Sequence, residues 1–305
     1  MRNTSTTVVV VATVCVGLMS TGARPASAQD VPAEYQAVLK ALGKAGDYKE
    51  GVLKVNIPRN DVRVTIKGRS APTPIGFGGW IALAKGQGGH EVMMGDLVLT
   101  EDEVNPVMSA LLSNGLDVTA LHNHFFWDVP KMFFMHVHGT GSAADLATRV
   151  KPAIDLLDEA AKRAAGATPA PPTAVTGTLD SAALASIIGH PGEQTGPVYK
   201  ITIGRPDINM REHGAGVNAR MGLNTWAAFA GSDADAMVAG DVAMLEHEVT
   251  PVLKALRASG LDIVAIHHHM TGVAPTVIFL HYYGTGPAAT LARGVRAAVD
   301  LLGKK

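Results

Sequence analysis

One stretch of this chain is written twice, and the repetition limits what the chain can fold into more than any other feature. Residues 95–124, from Gly95-Asp96 to His124, align with 240–269, from Gly240-Asp241 to His269, without a gap and with half the positions identical. Chance does not produce such a match. It continues upstream: Arg59 and Asp61 answer Arg205 and Asp207, Gly76 and Trp80 answer Gly222 and Trp226, and Leu42-Gly43 stands opposite Ile188-Gly189. Whatever one copy folds into, the other must fold into as well. The 305 residues suffice for two domains of ordinary size, each with its own core. Between the copies, Ala164 to Thr178 is rich in Ala, Pro and Thr and short of large apolar residues, which suits an exposed linker. The expected division is a first repeat domain over 29–160, a linker over 161–177 and a second repeat domain over 178–305.

The N-terminus carries an address. Arg2 gives a positive start, Val8 to Met19 an apolar run, and Ala26-Ser27-Ala28 a small-residue cleavage site, so residues 1–28 are expected to be a signal peptide. The apolar run is too short for a membrane span. The expected location is periplasmic or secreted, with no stable membrane span after cleavage. The single cysteine, Cys15, leaves with the signal, so any metal site must use nitrogen, oxygen or thioether ligands. A formal net charge of -1 gives no reason to expect nucleic acid or an anionic membrane surface as a partner.

Within one copy, a helix is expected from Ala33 to Leu42, stopped by Gly43. Short strands follow around Leu53–Ile57, Val62–Ile66, Gly79–Ala84 and Glu91–Leu99. Thr100 and Glu103 form a capping box for a helix running to Asn114 and ending at Gly115. Two strands, Asp117–Phe126 and Met132–His138, then form a hairpin. Being apolar on both faces, they are expected at the centre of a sheet covered by helices. Gly139-Thr140-Gly141 should break the second strand, and Ser142 should cap a last helix through about Leu157. The fold class is α+β: two tandem homologous domains, each a mainly antiparallel sheet covered by helices, packed as a pseudo-twofold pair.

Eight of the twelve histidines fall within the two hairpins. Residues two apart on a strand share a face. Pairing His124 with His136, and His122 with His138, would put four imidazoles on one side, with cross-strand partners about 5 Å apart. The same face of the second copy would carry His267, His269, His281 and Tyr283, a phenol taking the fourth place. A lone histidine on an apolar strand is ordinarily a neutral ring bonded to a carbonyl. Four on one face would need too many separate acceptors, and imidazole is the commonest ligand for transition metals. The expected ligands are His122, His124, His136, His138, His267, His269 and His281, for a divalent transition metal, zinc first and copper second. One such site is expected per repeat.

Carboxylates complete the list. Glu103 and Glu248, at the starts of corresponding helices, are candidate general bases, with capping as their ordinary role. Asp96, Asp241, Glu101 and Glu246, with Tyr283, are candidates to orient the ligands from behind. Trp80 and Trp226 are expected in the core. The chain has no His-Glu-x-x-His and no Gly-x-Ser-x-Gly, so no hydrolytic signature singles out a reaction.

These residues resemble a known family. Gly-Asp before the helix, Glu-x-Glu-Val with Pro106 or Pro251 inside it, Gly-Leu-Asp after it, His-x-His and His-x-x-Gly-Thr-Gly are similar to the LppY/LpqO family of exported bacterial proteins, a domain of unknown function. Both copies look like this domain, and the resemblance brings no activity with it. The function expected from the residues is metal binding without established turnover. Two alternatives stand beside it: a metal-dependent hydrolase with Glu103 or Glu248 as base, and a small-ligand or envelope-interaction module whose histidines only hydrogen-bond.

Overall fold

The computed structural model describes residues 30–166 and 175–304. The signal peptide expected over 1–28, with Cys15, and residues 167–174 of the expected linker lie outside them. The first repeat begins with α1 (Ala33–Leu42), β1 (Gly46–Lys49), β2 (Val52–Pro58), β3 (Val64–Ile66) and β4 (Arg69–Ala71). It continues with β5 (Gly78–Lys85), β6 (Glu91–Thr100), α2 (Glu101–Ser113), β7 (Asp117–His122), β8 (Asp128–Val129), β9 (Met132–Gly141) and α3 (Ala143–Gly166). The second repeat runs α4 (Ser181–Ile188), β10 (Gly192–Thr195), β11 (Val198–Gly204), β12 (Arg211–Glu212), β13 (Ala215–Gly216) and β14 (Asn224–Gly231). Its remaining elements are β15 (Ala236–Leu245), α5 (Val249–Ala258), β16 (Asp262–His267), β17 (Val277–Gly286) and α6 (Ala288–Val299).

Local chemistry sets the helix ends where the sequence puts them. Gly43 stops α1 in the left-handed conformation, at φ 64°, which costs a residue without Cβ nothing. The capping box of Thr100 and Glu103 starts α2. In the second repeat Leu245 replaces the threonine, and only the Glu248 half survives, as a bond from Leu245 N to the Glu248 carboxylate at 2.7 Å.

Each repeat makes one six-stranded sheet, in the orders β1-β2-β5-β6-β9-β7 and β10-β11-β14-β15-β17-β16. All the pairings are antiparallel. Alternation along the strands then decides what covers each face. Leu53, Ile81, Leu83, Met93, Leu97, Met135 and Val137 point to the helices, where they pack with Tyr35, Val107, Leu111, Val150 and Ile154. Their neighbours in sequence, Ala82, Ala84, Val92 and Met94, point the other way and meet the second repeat. There they pack against Ile208, Met210, Val217 and Met221, which lie between β11 and β14. The exchange is reciprocal: Val64, Ile66, Ile75 and Phe77, between β2 and β5, cover Ala228, Ala230, Met237 and Ala239 of the second sheet. Each repeat thus extends an arm over the other's sheet, and ion pairs pin the arms: Arg69 to Asp235 at 2.8 Å, Lys67 to Asp262 at 3.2 Å.

Three expectations need correction. The hairpin strands are apolar on both faces, yet β7 is an edge strand and only β9 is central; helices cover one face alone, and the other repeat covers the second. The Gly-Thr-Gly segment does not break β9, which stays paired with β6 as far as Gly141. Helix α3 runs on to Gly166, several residues into the segment expected as linker, because Ala-rich sequence is good helix former. No helix among the described residues is long and apolar enough to cross a membrane.

Ile66, fully buried in the first repeat's arm, tests the exchange. Ile66→Ala should cost about 2–5 kcal/mol and shift one common unfolding transition in urea. Two separated transitions, only one of them shifted, would show that the repeats stand independently.

Candidate metal centre

The site is assembled from a row of residues across each sheet. In the first, Trp80 is paired with Asp96, and Asp96 with His136. In the second, Trp226 is paired with Asp241, and Asp241 with His281. Both rows lie on the face turned to the other repeat. Gly95 lets the strands close up beside Asp96, since a Cβ there would lie 2.9 Å from the Trp80 carbonyl oxygen.

The hairpin register differs from the expected one by four residues. Ala120 stands opposite His136 and His122 opposite Phe134, with a bulge between Val118 and Ala120. The expected pairs His124–His136 and His122–His138 do not form. An even shift preserves the face, so His122 and His136 still meet, with Nε2 atoms 3.1 Å apart. His124 lies just beyond β7 and stacks on Phe134, ring centroids 3.3 Å apart. His269 stacks on Phe279 at the same spacing.

The second difference is larger: the two sites expected in separate repeats are one cluster. Its rings interleave across the seam, with His122 against His267 at 3.7 Å between centroids, His124 against His281 at 3.7 Å and His136 against His269 at 3.9 Å. His122 and His267 are counterparts, and each of the other two contacts mirrors the other, the signature of a twofold relation.

Six buried rings with few partners carry an electrostatic cost. Burial holds every one of them below the usual imidazole range: His122 at about 4, His267 at about 2, and His124, His136, His269 and His281 well below 6.5, with neighbouring rings adding to the effect in these last five. Neutral imidazole is the ligating form. Burial also pushes Asp96 up to about 8 and raises Asp241 well above the carboxylate range.

Donor atoms of this cluster converge in four sets, each with its atoms within 4.8 Å of one another. Asp96 with His122 and His136 belongs to the first repeat; Asp241 with His269 and His281 belongs to the second. These two sets share no residue, so two ions could be held at once, each by two imidazoles and a carboxylate. The other two, His122 with His267 and His281, and His136 with His267 and His269, draw on both repeats. His124 lies within the cluster but in none of the four sets.

Other expected residues go elsewhere. His138 donates or accepts through Nδ1 with Glu212 at 2.6 Å, on the arm of the second repeat. Tyr283 is turned toward Phe125, Trp127 and Lys67. Glu103 is bridged by two bonds to the buried Arg59, at 2.6 and 2.9 Å, and accepts the Thr100 N–H. Glu248 is held likewise by Arg205, at 2.9 Å twice. Neither joins the converging sets, because each sits at a helix start on the far side of its strand. Glu101 and Glu246 are exposed. Of the carboxylates expected to assist, only Asp96 and Asp241 reach the rings, and they do so as direct donors.

Sequence reasoning passed over the lysines. Lys54 lies over the face of Trp80, 4.5 Å from its centroid, and Lys200 over Trp226 at 4.1 Å. Both tryptophans, expected in the core, line a cavity that reaches His124, His269 and His281. The repeat itself held the signal, since Lys54 and Lys200 are counterparts with the strand parity of the Trp-Asp row.

A family model described as Domain of Unknown Function (DUF1259) matches residues 36–156 and again residues 182–301. No curated protein matches the chain. Among solved structures, EtuB from Clostridium kluyveri is 9% identical, over 85% of this chain and 89% of that one, with a TM-score of 0.20. The trimeric bacterial microcompartment shell protein PduB is 11% identical, over 85% and 91%, with a TM-score of 0.21. Likeness this slight bears on neither fold, assembly nor function.

Two outcomes follow from the electrostatics. In chelated protein the six rings bind protons only after unfolding, so their contribution to stability is present above about pH 6.5 and is lost as the pH falls toward 4 and below. Asp96 and Asp241 act with opposite sign, binding protons in the fold and losing that stabilisation as pH rises toward 8. The urea midpoint should therefore peak near pH 6.5; a midpoint that climbs steadily into acid would contradict neutral buried rings. Glu103→Ala, which leaves Arg59 with Asp61 as its remaining carboxylate partner, should cost about 1–3 kcal/mol while leaving the metal content of the surviving folded protein unchanged by elemental analysis.

Proposed function

This chain belongs to the family described as Domain of Unknown Function (DUF1259), as a tandem pair, and we propose that the pair serves to bind divalent transition-metal ions at the seam between its domains. The observation that carries this reading is the set of unpartnered donors. His122 Nδ1, both nitrogens of His124, His267 and His281, and His269 Nε2 are buried without a hydrogen-bond partner, as are Asp96 Oδ1 and Asp241 Oδ1. A buried polar group left unsatisfied costs about 1–3 kcal/mol. So many at one place would rival the whole net stability of a typical domain, about 5–15 kcal/mol. Ligation turns that cost into binding energy, and the lone pairs already converge.

Imidazole and carboxylate without thiolate suit zinc, and also iron(II) and copper(II). Zinc is the first choice. The nearby methionines give copper little support, because Met93, Met94, Met132, Met135, Met244 and Met270 are packed into apolar clusters. A hydrolase using Glu103 or Glu248 as base finds little support either, since both carboxylates are engaged by arginines. Within the family we place the chain with the LppY/LpqO proteins and assign it, by its signal peptide, to the periplasm or the exterior.

Protein purified without an affinity tag and analysed for metals should carry about two divalent ions per chain, as the two disjoint donor sets allow. His136→Ala combined with His281→Ala removes a ring from each set and should abolish most of that metal. Chelation of the wild type at neutral pH should lower the melting temperature through linkage. Wild type without metal, and with a melting curve indifferent to chelator and to added zinc, iron(II) or copper(II), would overturn the reading in favour of a non-metal ligand module.

A further inference from the structure

Beside the histidine cluster is a cavity of about 680 Å³, lined by Lys54, Lys200, Trp80, Trp226, His124 and His281 among others. That volume is in the usual range for small-molecule sites. What distinguishes the lining is its two cations. Lys54 and Lys200 are half-buried, without a hydrogen bond to a described residue; burial lowers both to about 8, and the carboxyl groups that act on them from a distance are Asp47 and Asp96 for Lys54, Asp241 and Asp96 for Lys200. Each is held only over an indole face, a contact that fixes the ammonium in place without neutralising it.

Other charges on the lining are already spent. Arg220 is paired with Asp47 at 2.6 Å, and Glu193 is exposed at the rim. Asp96 and Asp241 also face the cavity, but they belong to the two donor sets. Two divalent ions bound there would consume both carboxylates and leave a net positive charge on the floor, with two more positive charges on the walls. A neutral or cationic occupant would leave all of it uncompensated within the cavity.

We propose that this cavity binds a small oxyanion with at least two negative charges, a phosphate or a dicarboxylate, gripped between the two lysines and the metal ions. The assignment rests on the metal reading for one half of the grip and on the lysines alone for the other. The pseudo-twofold placement of Lys54 and Lys200 gives the anion an ammonium on either side. The tryptophans hold both in place.

The test is calorimetric titration of the full chain, loaded with zinc and desalted, with inorganic phosphate and separately with malonate. Lys54→Gln and Lys200→Gln are measured in parallel, and metal content is determined on every sample. The wild type should bind at least one of the two anions, and which one identifies the ligand class. Each glutamine variant should weaken that binding about tenfold or more, the worth of one charge-assisted hydrogen bond, with metal content unchanged; Lys54→Arg should recover part of the loss. Binding of neither anion by metal-loaded wild type, or equal binding by wild type and both variants, overturns the proposal. If the chain holds no metal yet the glutamine variants still lose the anion, the metal reading fails and the anion site stands on its lysines.

Discussion

Alternation along the strands imposes the constraint on which everything else depends. Each sheet has apolar residues on both faces, and the helices of a repeat cover only one. The uncovered face of one sheet can leave water only against the other repeat, and the arms between β2 and β5 and between β11 and β14 complete that cover. The seam is therefore a second core, and the polar rows that cross it are buried as a consequence of packing. Asp96, His136 and their counterparts cost stability at such a position wherever they lack partners.

A twofold seam also explains why the rings of two domains form one cluster. Any residue near the axis meets its own counterpart, as His122 meets His267. Residues farther from it meet the counterpart's neighbours, as His124 meets His281 and His136 meets His269. At one position of this face the copies differ. His138 bonds Glu212 on the opposite arm, whereas Tyr283, at the same place in the second repeat, lies among Phe125, Trp127 and Lys67.

Much of this was legible in the chain. The duplication, the helix from Ala33 to Gly43, the Thr100–Glu103 cap and the shared face of His122 and His136 all follow from local rules, and all hold. The expected register assumes that the two hairpin strands are joined directly. Instead the chain detours through β8, which pairs with β3 of the arm. Face survived the error because the displacement was even. What no local rule carries is the partner across the seam: nothing within one copy says that His267 will lie against His122, or that Glu212 will reach His138. Glu103 keeps the capping bond read from the sequence and adds to it a bridge to Arg59 from 44 positions away, which no local rule carries.

Holding a cluster of neutral rings at a seam couples assembly of the two repeats to what the rings bind. Without a ligand, the seam gathers donors that have no partners and two carboxyl groups whose hold on a proton burial strengthens. An ion that took His122, His267 and His281 together, in place of the two disjoint sets, would be bonded to both repeats at once, and its binding energy would be added directly to their docking. An ion in either carboxylate-bearing set would instead compete with the proton for Asp96 or Asp241, and the charge it brings would be balanced only in part by the protein. The remainder falls on the side of the cavity where Lys54 and Lys200 already stand unpaired. An anion drawn there would complete the neutralisation that the fold leaves open, and metal, anion and domain docking would then stabilise one another through a single shared seam.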